Sequence, residues 1–132
     1  RGGEGASKLV SIHVTGAASV DDAQQAAKAM ANSPLVKTAV HGEDPNWGRL
    51  VAVAGRAGVA FDQTRARVFV GAMELFGHEI VHADREPEAA AHLKQKEVTL
   101  TVDLGTGGTA SFTAWTCDFS AEYVRINADY RT

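Results

Sequence analysis

The first strong pattern in the chain is a strict alternation of apolar and polar residues over residues 9–15. Val10, Ile12 and Val14 are apolar, and the residues between them are polar. Successive side chains of a β-strand point to opposite faces, so this pattern predicts a strand with one buried face. Gly16 is expected to end that strand.

The same alternation returns twice nearer the C-terminus, over Glu97–Leu104 and Ala110–Cys117. A turn at residues 105–108, in which three of the four residues are glycine, lies between the two segments. We therefore predict that they pair as a β-hairpin. Two shorter segments are also considered: Arg67–Val70 as a strand, and Glu74–Phe76 as a short partner strand or loop.

Four segments have the features of helices. Serine or aspartate precedes three of them, and such side chains accept hydrogen bonds from the first free N–H groups of a helix. Proline follows Ser33 and Asp44, and proline is well suited to the first helical position. The predicted helices are residues 20–31, a helix from Pro34 to a break at Gly42, a helix from Pro45 through Ala54 that closes over Gly55–Gly58, and a helix from Pro87 to Leu93. A further short helix is expected around Ala121–Ile126.

This succession of strands and helices predicts an α+β domain. We expect a mixed or mostly antiparallel sheet with the helices packed on one of its faces. The apolar positions of the helix at residues 20–31 are mostly alanine, which allows a helix to approach a sheet closely.

The composition narrows the class of protein. The 132 residues suit one domain with a substantial core. The net charge is −3 and no basic run is present, which argues against nucleic-acid binding. No apolar run approaches the roughly 18 residues of a membrane span, and there is no signal-peptide pattern.

Two further features bear on where the protein acts and what it is. The chain has a single cysteine, Cys117, so no disulfide forms within it, and a reducing cytosol is the expected location. Because the first residue is Arg1 rather than Met, we expect a processed product, a subunit or an excised fragment.

The polar turn at His41, Glu43 and Asp44 contains residue types that bind metals. Their spacing fits no defined metal site, and Gly42 and Pro45 indicate a turn. Helix capping and turn hydrogen bonds are therefore the preferred interpretation, and no metal site is expected.

Glu4 stands among glycines at residues 2–5, without the spacing of a nucleotide-binding loop. Glycine lets the backbone approach a ligand closely, and an isolated carboxylate suits a substrate ammonium; a solvated glutamate is the alternative. Trp47 and Trp115 are expected to anchor a core or an interface, and Cys117 to be a small buried residue. No nucleophile–base pair can be assembled from the residues of this chain.

Three separated motifs resemble those of one family, in the same order. Residues 1–8 read Arg-Gly-Gly-Glu-Gly-Ala-Ser-Lys, similar to the family's Arg-Asp-Gly-Glu-Gly-Ala-Thr-Lys. Ser33–Arg49 resembles the family's signature, and Cys117-Asp118 with Tyr123–Thr132 resembles its C-terminal close. On these residues the chain is identified as a member of the bifunctional glutamate N-acetyltransferase/ornithine acetyltransferase family of arginine biosynthesis.

The resemblance implies that residues 1–132 are the C-terminal region of a β chain with an ornithine acetyltransferase-like fold. In that family a precursor cuts itself before a threonine, which then begins the β chain and accepts the acyl group. The nucleophile would lie upstream and the oxyanion-hole residues in the α chain. No catalytic residue is therefore expected in this segment, which would be inactive alone.

The substrate-binding residues implied by position are Glu4, Asn127 and Thr132. A carboxylate suits an ammonium group, while an amide and a hydroxyl can bind a carboxylate or position an amine. The implied reaction is a cytoplasmic ping-pong transfer of acetyl from N-acetylornithine to glutamate. It needs no metal or organic cofactor, and acetyl-CoA is a possible co-substrate. Gly2 replaces the family's Asp and removes a charge near Glu4, while Ser7 keeps the hydroxyl of the usual Thr.

The implied partners are the α chain and the rest of the β chain, in an α/β hetero-oligomer. The ligands would be ornithine, glutamate and their N-acetyl forms. Two other readings stay open: a related N-acyltransferase of specialised metabolism with another amine or acyl donor, and a structural module without catalysis.

Overall fold

The computed structural model of the chain describes residues 8–118 and 124–126. In these residues four α-helices, seven β-strands and two short 3-10 helices follow one another. The helices are α1 (Val20–Ala31), α2 (Pro34–His41), α3 (Trp47–Arg56) and α4 (Glu86–Leu93). The strands are β1 (Leu9–Ala17), β2 (Arg67–Val70), β3 (Met73–Gly77), β4 (Ile80–Val81), β5 (Glu97–Asp103), β6 (Ala110–Cys117) and β7 (Val124–Ile126). The 3-10 helices are Gln63–Arg65 and Ala83–Arg85.

The strands of this described part form one mixed sheet in the order β4-β3-β2-β5-β1-β6-β7. β1 pairs in parallel with β5 and antiparallel with β6, and the remaining neighbours are antiparallel. α1 packs on β1 and β6, while α3 contacts β2 and α4 contacts β2 and β3. The predicted α+β fold with a mostly antiparallel mixed sheet is confirmed.

The predicted hairpin between β5 and β6 is wrong, because β1 lies between these two strands. Ile12 faces Leu100 on one side and Ala114 on the other. The glycine-rich connection instead crosses the C-terminal end of β1, where the N–H of Thr106 donates to the carbonyl of Gly16 at 3.0 Å. Alternation in a sequence shows which face of a strand is buried, but it does not show which strand is the neighbour.

The core lies on one face of the sheet, under the helices. Along β1, β5 and β6, buried residues alternate with half-buried or exposed ones. Four of the five alanines of α1 are fully buried against this face, and Met30 fills the space beside them. Small side chains let the helix axis come close to the sheet, as the alanine-rich face predicted. The buried residues that build this layer include Val10, Ile12, Val14, Ala23, Ala26, Ala27, Met30, Val98, Leu100, Val102, Phe112 and Ala114.

Side-chain caps start the first three helices. The hydroxyls of Ser19 and Ser33 accept hydrogen bonds from the third residue of α1 and α2, as expected from the sequence. For α3 the predicted cap, Asp44, is wrong: the side chain of Asn46 accepts from the N–H of Arg49 at 3.2 Å. Pro45 therefore lies in the turn before the helix. None of the helices in the described residues is long and apolar enough to cross a membrane.

Two further boundaries differ from the sequence prediction. Gly16 does not end β1, because the strand continues to Ala17 through an irregularity in its pairing with β6. Gly16 has a φ of +62°, which glycine adopts without strain. The helix expected around Ala121–Ile126 is wrong for Val124–Ile126, which form a strand that extends the sheet beyond β6. Two β-branched residues there favour the strand over the helix.

The crossing connection predicts unequal effects for two glycine substitutions. Gly105 has a φ of +67°, and a Cβ there would collide with the carbonyl oxygen of Arg65. Gly107 has a φ of +89° but open space around it. Gly105→Ala should lower the free energy of unfolding by about 3 kcal/mol, and Gly107→Ala by about 1 kcal/mol, since only the first adds a backbone clash. Urea denaturation measures both, and equal losses would contradict the close crossing.

Candidate functional site

The three residues that the family resemblance implies for substrate binding are Glu4, Asn127 and Thr132. All three lie outside the residues that the structure describes. The described chain begins four residues after Glu4, at Lys8, and Asn127 directly follows the last residue of β7. The contacts that the structure does show near these residues are those of Lys8 and Asp118, at the two ends of the described range 8–118.

The side chain of Lys8 joins the ends of two helices at the start of β1. Its ammonium donates to the carbonyl of Leu93, the last residue of α4, at 2.6 Å. It also donates to the carbonyl of Val40, in the last turn of α2, at 3.3 Å. Glu43 completes the set, with its carboxylate 3.5 Å from the ammonium. The last carbonyls of a helix lack intrahelical partners and carry the partial negative charge of the helix. An ammonium group placed there donates hydrogen bonds to these carbonyls and is attracted by that charge.

Asp118 joins the other end of the described segment to the same place. Its N–H donates to the carbonyl of Lys8 at 3.3 Å, and its Oδ1 lies 3.4 Å from the N–H of Lys8. Oδ2 lies 3.3 Å from Nδ1 of His41, the last residue of α2. The Asp118 side chain is only 3% exposed. A buried carboxylate is costly unless it accepts hydrogen bonds, and these contacts supply them.

Described residues from each of the three sequence motifs therefore meet in space. Lys8 ends the first motif, Asp118 belongs to the third, and His41 and Glu43 belong to the long segment between them. We call this group of four side chains the Lys8–Asp118 junction. Glu43 has a φ of +57°, a left-handed backbone conformation that is unusual for glutamate. The turn after α2 thus adopts a strained conformation where it presents a carboxylate to Lys8.

Sequence reasoning missed the roles of Lys8 and Asp118. The signal was available only in part, because both residues lie inside segments that resemble the family. Their partners are 32, 85 and 110 residues away along the chain, and no local pattern indicates such contacts.

The other residues singled out from the sequence have structural surroundings. Trp47 stacks on Phe76 with ring centroids 4.1 Å apart and packs against the core, which confirms its role as an anchor. Trp115 is half-buried on the sheet face away from the helices. Cys117 was expected to be buried, but it is only half-buried. In the described part of the chain, side chains of His, Cys, Asp and Glu nowhere gather in a group of three that could hold a metal ion.

Charged groups elsewhere stabilise the sheet. Arg67 on β2 donates to both carboxylate oxygens of Glu74 on β3, at 2.9 and 3.3 Å. This hydrogen bonding lowers the pKa of Glu74 and raises the pKa of Arg67. On β1, partial burial lowers the pKa of His13, which lies 2.6 Å from the hydroxyl of Thr113 through its Nδ1. The Arg67–Glu74 pair joins β2 to β3, and the His13–Thr113 contact joins β1 to β6. Neither pair includes a residue of the junction.

Within the junction, we expect the buried carboxylate of Asp118 to stabilise the fold more than the partly exposed carboxylate of Glu43 does. Asp118→Asn replaces one of two buried carboxylate oxygens, both of which face hydrogen-bond partners, by an amide NH2 and should lower the free energy of unfolding by about 1–3 kcal/mol. Glu43→Gln alters a side chain that is 40% exposed, so its expected loss is below about 1 kcal/mol. Urea denaturation at neutral pH compares the two. Losses of equal size, or a larger loss for Glu43→Gln, would show that Asp118 is not the stabilising member.

Known proteins resemble this chain along its whole length. The sequence profile of the ArgJ family matches residues 1–132. The arginine biosynthesis bifunctional protein ArgJ of Chlorobium chlorochromatii is 47% identical over 130 residues, which cover 98% of this chain and 30% of that protein. The protein of the same name from Dehalococcoides mccartyi is 49% identical over 133 residues, covering all of this chain and 32% of that protein.

A solved structure agrees with these sequences. The crystal structure of arginine biosynthesis bifunctional protein ArgJ from Bacillus halodurans superposes with a TM-score of 0.81 at 38% identity. The match covers 88% of this chain and 55% of that one. This chain spans about a third of the length of the curated relatives it matches. The match over every residue, together with the shared fold, shows that the chain belongs to the ArgJ family.

Proposed function

We propose that the protein containing this chain transfers an acetyl group to glutamate in arginine biosynthesis, with N-acetylornithine or acetyl-CoA as the donor. The observation that carries this proposal is the match of the whole chain to relatives named for bifunctional action in arginine biosynthesis, at 47% and 49% identity. Similarity of this extent covers the motifs at both ends as well as the core.

We further propose that residues 1–132 form the C-terminal region of the β chain. The threonine that accepts the acetyl group would then lie upstream, and the oxyanion-hole residues would lie in the α chain. The functional assembly would be a cytoplasmic α/β hetero-oligomer that arises by self-cleavage of one precursor. It would need no metal or organic cofactor, with acetyl-CoA acting as a co-substrate in the second activity.

In this proposal the chain contributes substrate recognition rather than a nucleophile. The carboxylate of Glu4 would bind an ammonium group of the substrate, and Asn127 and Thr132 would bind its carboxylate or position its amine. What supports this assignment is the similarity of the chain to its relatives, which extends over the two end motifs that carry these residues. Holding the acceptor amine near the acetyl carbon contributes to rate through proximity and orientation.

The chemical step needs two half-reactions. First the upstream threonine hydroxyl attacks the acetyl carbon of N-acetylornithine, the C–N bond breaks, and ornithine leaves with the proton. Then the amine of glutamate attacks the acetyl-threonine, a new C–N bond forms, and the ester C–O bond breaks as the threonine oxygen regains a proton. Glu4, Asn127 and Thr132 would orient the amino acid in both steps.

The direct test is an acetyl-transfer assay on the full-length gene product. Formation of N-acetylglutamate and ornithine from N-acetylornithine and glutamate is the expected result. Transfer to a different amine, or from a different acyl donor alone, would overturn the arginine-pathway assignment in favour of a related acyltransferase. A folded full-length protein that transfers nothing would favour a structural module.

The proposed role of Glu4 predicts a loss of substrate binding when its charge is removed. Glu4→Gln in the full-length enzyme should lower kcat/KM for the amino-acid substrates by about 10–100-fold, since a charge-assisted hydrogen bond contributes about 1.5–3 kcal/mol. Glu88→Gln, at an exposed position of α4, is the matched control and should leave kcat/KM unchanged. An unchanged kcat/KM for Glu4→Gln would show that Glu4 does not bind the substrate.

A further inference from the structure

The face of the sheet opposite the helices has no buried layer in residues 8–118. On β1, β2, β5 and β6, every side chain that points to this face is half-buried or exposed, and the side chains that alternate with them are buried. All four helices place their buried side chains in one core cluster on the other face. The described residues therefore cover the sheet on one side only.

The centre of the uncovered side consists of uncharged residues. Seven side chains form two rows across the strands: Phe69, Thr101, His13 and Thr113 in the first row, and Thr99, Ser11 and Trp115 in the second. We call these seven residues the open face. Partial burial lowers the pKa of His13, so its ring is neutral at neutral pH.

Charged residues on the same side of the sheet lie around the open face. Arg67 is bound to Glu74 between β2 and β3, and Glu97 begins β5. Asp103 ends β5 and accepts the N–H of Gly105 at 2.9 Å. Solvated sheet faces are polar, whereas an uncharged centre that contains aromatic residues, within a charged rim, is typical of the centre of a protein interface.

The size of the open face favours a partner that is linked to the chain. Strands lie about 4.8 Å apart and two residues along a strand span about 7 Å, so the two rows measure about 250 Å². A stable interface between separate proteins buries about 800 Å² on each partner. A covalently linked segment is present at a high effective concentration and binds through a smaller contact.

The length of the relatives shows that such a segment exists. This chain spans about a third of the length of the curated relatives, so the greater part of the protein lies outside residues 1–132. A second copy of the chain would have to bind through the small open face without that advantage. The remainder of the same protein is therefore the occupant that the observations favour.

We propose that the open face is a docking surface for the part of the protein outside residues 1–132. That part would present an uncharged surface, with apolar groups against Phe69 and Trp115 and hydrogen-bonding groups against the hydroxyls. The inference rests on membership of the ArgJ family and does not depend on the proposed acetyl transfer. A protein that transfers no acetyl group would leave it intact.

Thiol labelling of the full-length protein measures whether the open face is covered. Thr101→Cys places a thiol at its centre, between Phe69 and His13, and Thr109→Cys is the matched control at an exposed position between β5 and β6. A covered thiol reacts only after local opening, so a maleimide should label Thr101→Cys at least about 30-fold more slowly than Thr109→Cys. In urea the two sites should react at equal rates. A smaller difference in the native protein would overturn the proposal.

A photo-crosslink identifies the occupant. A diazirine analogue of leucine replaces Thr101 in the purified full-length protein, and mass spectrometry locates the peptide to which it becomes bonded on illumination. The expected product joins position 101 to a peptide of the same gene product outside residues 1–132. A link to residues 1–132, in the same copy or in a second one, would overturn the proposal. Reaction with water alone would overturn it as well.

Discussion

The cation at the start of β1 is the contact on which the organisation of this chain depends. Two helices that are far apart in the sequence, α2 and α4, both end beside the Lys8 ammonium. Lys8 donates to the carbonyls of Leu93 and Val40, the second of which also accepts the N–H of Glu43, and it directly precedes β1, the strand between β5 and β6. The helical layer and the sheet are therefore joined at one point. The neighbouring Asp118 brings the end of β6 to that point as well.

The long segment Ser33–Arg49 gains a clearer role from this arrangement. The sequence alone favours helix capping and turn hydrogen bonds for its polar residues, and the segment carries the family signature. Its capped helices and the stacking of Trp47 on Phe76 support the structural interpretation. Yet the turn after α2 also presents Glu43 to Lys8 and His41 to Asp118. The segment thus contacts the two residues at which the described range 8–118 begins and ends.

Local patterns in the sequence predicted local features well. Alternation identified the buried faces of β1, β5 and β6, and serine caps located the starts of α1 and α2 because those signals operate within three or four residues. The pairing of β5 with β1 in parallel could not be predicted in the same way, because any alternating strand offers the same face to several possible neighbours. Asn46 displaced Asp44 as the cap of α3 since both are good caps and only the turn geometry decides between them.

The residues of the candidate site likewise fall into two groups, those indicated by the sequence and those found only in the structure. Glu4, Asn127 and Thr132 came from the family resemblance, and they stay predictions because they lie outside the described residues. Lys8 and Asp118 came from the structure, because their roles consist of contacts between distant parts of the chain. A positively charged residue at the start of a strand is ordinary in a sequence, and its importance becomes visible only when the two helix ends are placed beside it.

A crystal structure of the full-length protein with bound ornithine would test the central claim most directly. The account predicts that an amino group of ornithine lies within hydrogen-bonding distance of the Glu4 carboxylate. It also predicts that the ammonium of Lys8 remains on the carbonyls of Val40 and Leu93 and does not touch the ligand. Ornithine bound away from Glu4, or held directly by Lys8, would contradict the account.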